Sequence, residues 1–180
     1  MKKNHDANGS VSGFASVALV LIDVINRMDF EGGGKLVRFA IPMARRLAVL
    51  KRRAKSKGIP AIYVNDNFGR WKSDFKTVVD QCLTGDAPGR RIVELLKPEP
   101  DDYFVLKPRH SGFFGTPLAT LLKYLQARTL ILTGVAGNNC VLFTAHDAYL
   151  RDFRIIVPSD CVASEPGERI WPLLLRCERC

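Results

Sequence analysis

The chain has no clustered set of cysteines and histidines that would hold a structural metal. Its five cysteines (Cys82, Cys140, Cys161, Cys177 and Cys180) are odd in number and irregularly spaced. One CxxC spacing occurs, Cys177-Glu178-Arg179-Cys180, at the extreme terminus and with no histidine near it. It therefore does not read as a metal or redox motif, and free thiols fit a reducing cytosol. Long apolar runs are also missing. Val17–Ile22 stops at Asp23, far short of the roughly 20 residues a membrane helix needs. The basic start Met1-Lys2-Lys3 is followed by polar residues and glycines through Gly13, with no small-residue cleavage site. Residues 1–16 thus read as a flexible leader rather than a signal peptide. No membrane partner is expected.

Acidic residues are outnumbered, 18 to 27, leaving a net charge of +9, which raises the question of nucleic acid. Much of the excess lies in Arg45, Arg46, Lys51, Arg52, Arg53, Lys55 and Lys57, with no aromatic residue interleaved, as a base-stacking surface would require. Leu36, Ala40, Met43, Leu47, Leu50 and Ala54 recur every three or four residues through the same segment. The basic residues are then the solvated side of an amphipathic helix, and no nucleic-acid partner is expected.

With 180 residues, 47% of them apolar, residues 17–180 are long enough for one domain with a substantial core. Apolar runs at Val17–Ile22, Ala61–Val64, Tyr103–Leu106, Thr129–Leu132 and Arg154–Val157 predict strands. Between them, helices are predicted over Lys35–Lys57, around Trp71–Val79, after Thr116-Pro117 and from Val141. The glycines and prolines from Gly85 to Pro100 mark loops, and the whole excursion from Phe68 to Pro100 is expected to cover the site or contact a partner subunit. Strands alternating with helices imply a three-layer α/β/α fold around a mainly parallel sheet of five or six strands, in the Rossmann-like manner.

Chemistry in such sheets gathers beyond the carboxyl ends of the strands. Asp23, Lys107 and Cys140 all fall at such ends. Cys140 stands where a strand turns into a helix, and Asn138 and Asn139 offer capping groups. The backbone N–H groups there favour a thiolate, although an inert buried thiol suits the position equally. Together, a carboxylate, an ammonium and a thiol suggest acyl transfer. Asp23 would take the Cys140 proton and return it to a leaving amine, while Lys107 would lower the thiol pKa. Backbone N–H groups of Ala136 and Cys140 would hold the oxyanion. Phe30, Phe68, Trp71, His110 and Phe113 are candidates for the substrate pocket, though such aromatics serve as core packing at least as often. Asn65-Asp66-Asn67 follows the second strand, but amides are poor zinc ligands, so no metal or other cofactor is expected.

Three ordered motifs then match a known family. Asp23-Val24-Ile25-Asn26-Arg27-Met28-Asp29-Phe30 resembles the Asp-x-(Gln/Ile)-Asn-x-x-x-Phe signature of the isochorismatase-like cysteine hydrolases. Lys107-Pro108-Arg109-His110-Ser111-Gly112-Phe113, with Thr116-Pro117-Leu118, is similar to the family's lysine segment. Gly134 through Val141, with Thr144, Asp147-Ala148 and Asp160, resembles its cysteine segment. The resemblance implies an Asp23–Lys107–Cys140 triad, a six-stranded parallel sheet and a non-proline cis peptide between Val135 and Ala136. It also implies hydrolysis of small amides through a thioester, and assembly as dimers or tetramers.

Two departures bear on substrate. Nicotinamidases carry Asp-x-His where this chain has Asn65-Asp66-Asn67, which counts against that branch. True isochorismatases cleave a vinyl ether, generally without the cysteine, so Cys140 argues for an amide or carbamoyl substrate. The alternatives are a vinyl-ether hydrolase and a catalytically idle member acting as a binding subunit. The tail Glu165–Cys180 has room for a helix but little for the family's last strand.

Overall fold

The computed structural model describes residues 16–69 and 74–165. The leader, Trp71 and the tail beyond Glu165 lie outside them. Six strands form one parallel sheet: β1 (Val17–Ile22), β2 (Ala61–Asp66), β3 (Tyr103–Lys107), β4 (Thr129–Val135), β5 (Arg154–Ile156) and β6 (Val162–Ala163). Their order is β3-β2-β1-β4-β5. β5 pairs with the start of β4 (Thr129↔Arg154) and β6 with its end (Gly134↔Val162), so the two share one edge in succession. Pro158 and a 3₁₀ turn at Ser159–Cys161 separate them. From β1 the chain winds outward through β2 to β3, then returns to β4 on the other side of β1. The topological switch point therefore lies between β1 and β4.

Strand alternation splits the core into two layers. Leu19 and Leu21 face one side with Tyr63, packed against α1 (Gly33–Lys55), α2 (Phe75–Leu83) and α3 (Arg90–Leu95). Ala18, Val20 and Ile22 face the other, against α4 (Leu118–Tyr124) and α5 (Leu142–Tyr149). Leu19, Leu21, Ile22, Leu47, Ile62, Leu118 and Leu122 are fully buried, each contributing about 1.5–3 kcal/mol by leaving water. Pro117 occupies the N-cap of α4, and the Thr116 hydroxyl before it accepts from the Leu118 N–H at 3.2 Å.

Three expectations are corrected. The stretch from Gly85 to Pro100 holds α3 as well as loops, and α2 lies where a short helix is expected. Asp74 caps α2 by accepting from the Thr77 N–H at 2.8 Å, and α2 and α3 bury Phe75, Val78, Val79, Cys82, Ile92 and Val93 in the core. Lys51 is not solvated: it is 4% exposed, with Nζ 2.5 Å from Asp102 Oδ2, and Lys55 pairs with Glu99 and Asp101 beside it. Lys51 stands four residues after Leu47 and three before Ala54, so the helix turns it toward the core; carboxylates distant in sequence make that position tolerable for a lysine. Finally, β2 and β3 run on to Asp66 and Lys107, because pairing of Asn65↔Leu106 and Asp66↔Lys107 continues past the apolar residues. Among the described residues no helix is long and apolar enough to cross a membrane.

Candidate active site

The backbone turns sharply at Asp23, whose φ of 50° lies in the left-handed region. Asp tolerates that region better than most side chains, and such conformations cluster at functional sites. The turn is held by its neighbours. The Asp23 N–H donates to Val64 O at 3.0 Å. Two residues on, the Asn65 amide bonds both polar groups of Ile25, donating to its carbonyl at 2.9 Å and accepting from its N–H at 3.1 Å. Asn65 is thereby a latch for the chain after β1, its side chain fully engaged.

The Asp23 carboxylate accepts from the Asp66 N–H at 2.7 Å through Oδ1 and lies 2.8 Å from Lys107 Nζ through Oδ2. Lys107, the last residue of β3, is fully buried. Its Nζ is also 3.6 Å from Cys140 Sγ and 3.6 Å from Asp66 Oδ2. Cys140 reaches this point through a specific backbone path. At Gly134 (φ 111°) β4 passes so close to β1 that a Cβ would lie 2.1 Å from Ile22 O, so only glycine fits. The Val135–Ala136 peptide is cis. A π-helical turn over Gly137–Val141 follows, with the Val141 and Asn139 N–H groups both donating to Ala136 O. Asn138 and Asn139 provide no side-chain cap there; the π turn uses backbone donors instead.

A cavity of about 440 Å³ opens over these groups, lined by Asp23, Asp66, Ala136 and Cys140 together with Phe30 and Phe68. Phe30 and Phe68 are half-exposed at its rim. Two expected pocket residues lie elsewhere. Phe113 is buried in the α4/α5 layer, against Phe153. His110 is exposed and stacks on Phe143. Both sit on the loop after β3, which turns away from the cavity to pack on α5. Conversely, Asp66, Asn26, Asn138 and Glu165 line the cavity and were not anticipated as site residues. Asp66 was considered only as part of an absent metal motif. Its position one strand over from Asp23, at the next strand tip, was the available signal.

Electrostatics set the resting state. Burial pushes the Asp23 carboxyl above the usual 3.8, against the opposing pull of Lys107, which makes it a stronger base than an exposed carboxylate. Burial alone would lower Lys107, but the charges of Asp23 and Cys140 outweigh it, so the ammonium is held. The Cys140 thiol is pushed up to about 12, first by burial and then by Asp23, with Lys107 opposing. This corrects the expectation of a thiol already softened toward thiolate: with the carboxylate on one side and little water around it, the sulfur keeps its proton until a base removes it.

Comparison with known proteins agrees with this picture. A family model described as the isochorismatase domain matches residues 17–173. The chain is 41% identical over 154 residues to the isochorismatase family protein YaaI of Bacillus subtilis, covering 86% of this chain and 84% of that one. It is 46% identical over 173 residues to the ureidoacrylate amidohydrolase RutB of Methylorubrum extorquens, covering 81% of this chain and 68% of the relative. Among solved structures, N-carbamoylsarcosine amidase from Thermoplasma acidophilum is similar with a TM-score of 0.67 at 27% identity, over 89% of this chain and 91% of that one. With a family model running from β1 to beyond β6 and 41% identity to a family member, this chain belongs to the isochorismatase family.

Proposed function

We propose that the protein hydrolyses a C–N bond of a small amide or carbamoyl compound through a thioester on Cys140. The observation that carries this reading is the meeting of Lys107 Nζ with Asp23 at 2.8 Å and with Cys140 Sγ at 3.6 Å, beneath a cavity that Asp23 and Cys140 line. Asp23 takes the thiol proton as the sulfur attacks the carbonyl carbon. The backbone N–H groups of Ala136 and Cys140 stabilise the oxyanion. Asp23 then gives its proton to the nitrogen, the C–N bond breaks and the amine leaves. A water attacks the thioester, losing a proton to Asp23; the C–S bond breaks and that proton returns to the sulfur. Lys107 keeps its charge throughout and offsets the negative charge moving between Asp23 and the sulfur.

Two relatives named for amide-cleaving activity on ureido and carbamoyl compounds support that substrate class here. The test is a panel of small amides, ureas and carbamoyl compounds with ammonia release as readout, run on wild type and Cys140→Ala, with a vinyl ether included. Turnover of a C–N substrate that vanishes in Cys140→Ala is expected. Turnover that survives the substitution, or cleavage of the vinyl ether alone, would sink the reading.

A further inference from the structure

Lys107 and Cys140 are not neighbours in the sheet. β2 and β1 lie between β3 and β4, and three strand spacings amount to roughly 14 Å. No ladder hydrogen bond ties the two strands directly, so their reactive groups are held in register by the segments that follow them. Those segments touch along one face of α5, where Thr144 and Asp147 fall at helical spacing, and Arg151 follows in the turn just past its end. Thr144 is fully buried. Its hydroxyl accepts from the Gly112 N–H at 2.9 Å and donates to Cys140 O at 2.7 Å. One hydroxyl thus joins the loop leaving Lys107 to the residue bearing the thiol. One turn along, Ser111 donates to the Asp147 carboxylate and accepts from the Phe113 N–H. Beyond it, Arg151 pairs with Asp147 at 2.8 Å and lies over the Phe113 ring at 4.8 Å. Gly112 leaves no slack: a Cβ there would lie 2.9 Å from Val64 Cγ1 and 3.3 Å from Thr144 Cγ2.

We propose that this face of α5 is a clasp on the loop after β3, and that Thr144 is the positioning residue that sets the Cys140 sulfur against the Lys107 ammonium. Thr144 does not line the cavity and acts only through the two residues it joins. Valine has the same shape and lacks the hydroxyl, so Thr144→Val leaves the Gly112 N–H without its partner and cuts its link to Cys140 O while leaving the core filled. The sulfur is then no longer fixed at 3.6 Å from Nζ, and a displacement of about 1 Å in a reacting group lowers turnover by about 100-fold.

The proposal rests on Cys140 and Lys107 acting together, and its test uses two readouts that fail separately. The rate of Cys140 alkylation by iodoacetamide near neutral pH, located by peptide mapping, is measured in wild type, Thr144→Val, Thr144→Ser and Ser111→Ala, with circular dichroism to verify folding. kcat and KM are measured on any amide the wild type turns over. Thr144→Val should slow the alkylation, since the ammonium that favours the thiolate is loosened, and should lower kcat with little change in KM. Thr144→Ser should restore both, and Ser111→Ala, which cuts only the outer contact, should fall between. A folded Thr144→Val alkylated at the wild-type rate, or a Thr144→Ser as defective as the valine, overturns the clasp. Slowed alkylation in a protein that cleaves no amide keeps the clasp and removes the hydrolase.

Discussion

Two of the described lysines are withdrawn from water, Lys51 on α1 with a side chain 5% exposed and Lys107 on β3 at 0%. Each has a carboxylate within salt-bridge distance, Asp102 at 2.5 Å and Asp23 at 2.8 Å. Their other neighbours differ. Lys51 faces Glu99 and the ring of Tyr63, groups that only stabilise a cation, and it does not line the cavity over Cys140. Lys107 faces a thiol and a second carboxylate, and the residues it touches line a cavity. A buried charge with a partner is therefore not by itself the mark of a site. What distinguishes Lys107 is a neighbour able to exchange a proton and a space in which a substrate can meet it.

The contrast is broken most directly by removing each lysine. Lys107→Met, like Cys140→Ala, should lower amide turnover by about 1,000-fold or more, whereas Lys51→Met should leave turnover per folded molecule within a few-fold. Steady-state rates on the substrate found by the amide panel decide it; equal losses would erase the distinction. Stability should show the reverse emphasis. Lys51→Met takes from Asp102, whose side chain is 2% exposed, its nearest cation and leaves it Lys55 at 3.4 Å and the Glu99 N–H at 2.7 Å; it should cost about 3 kcal/mol in urea unfolding. Adding Asp102→Leu should recover part of that, because the under-compensated charge goes with it.

Alkaline pH offers a finer separation. Burial holds the Cys140 and Cys161 thiols at about 12 and Cys82 at about 11, against 9.0 for a free thiol. Below pH 9 folded and unfolded chains both keep these protons, and the stabilisation is complete. Above it the unfolded chain releases them first, so stability falls as pH rises toward 12, by at most about 1.4 kcal/mol per pH unit for each thiol. Urea midpoints across that range should fall less steeply in Cys140→Ala than in wild type. On the acid side, Asp23 titrates above 3.8, so turnover should be lost at a higher pH than an exposed carboxylate would give. The smallest effect concerns the phenylalanines. Phe30→Ala, at the half-exposed cavity rim, should raise KM several-fold and change stability by less than about 0.5 kcal/mol. Phe113→Leu should leave KM unchanged and shift only the melting temperature.

Much of the architecture was legible because its signals are local. The run Val17–Ile22 and the spacing of Leu36, Ala40, Met43 and Leu47 each carry their period within a single segment, and the α/β fold with a parallel sheet follows. The tips of such strands also drew attention to Asp23, Lys107 and Cys140. Less could be read between Phe68 and Pro100, where α3 begins at Arg90 after a proline and two glycines and shows hardly one turn of apolar spacing. Phe30 and Phe113 belong to motifs of equal apparent weight, yet one rims the cavity and the other fills the core. The difference lies in the loop after β3, which α5 draws away from the site.

The sequence by itself determined the alternation of strands and helices, and with it the edge of the sheet at which reactive side chains collect, since periodicity and chain breaks act over a few residues. Tertiary structure alone decided how those side chains are charged and spaced. The thiol is held up to about 12 by burial, Lys51 is neutralised by an aspartate 51 positions away, and Lys107 and Cys140 meet at 3.6 Å from strands that never pair. Desolvation and ion pairing depend on what surrounds a group in space, and those surroundings come from segments far apart in the chain.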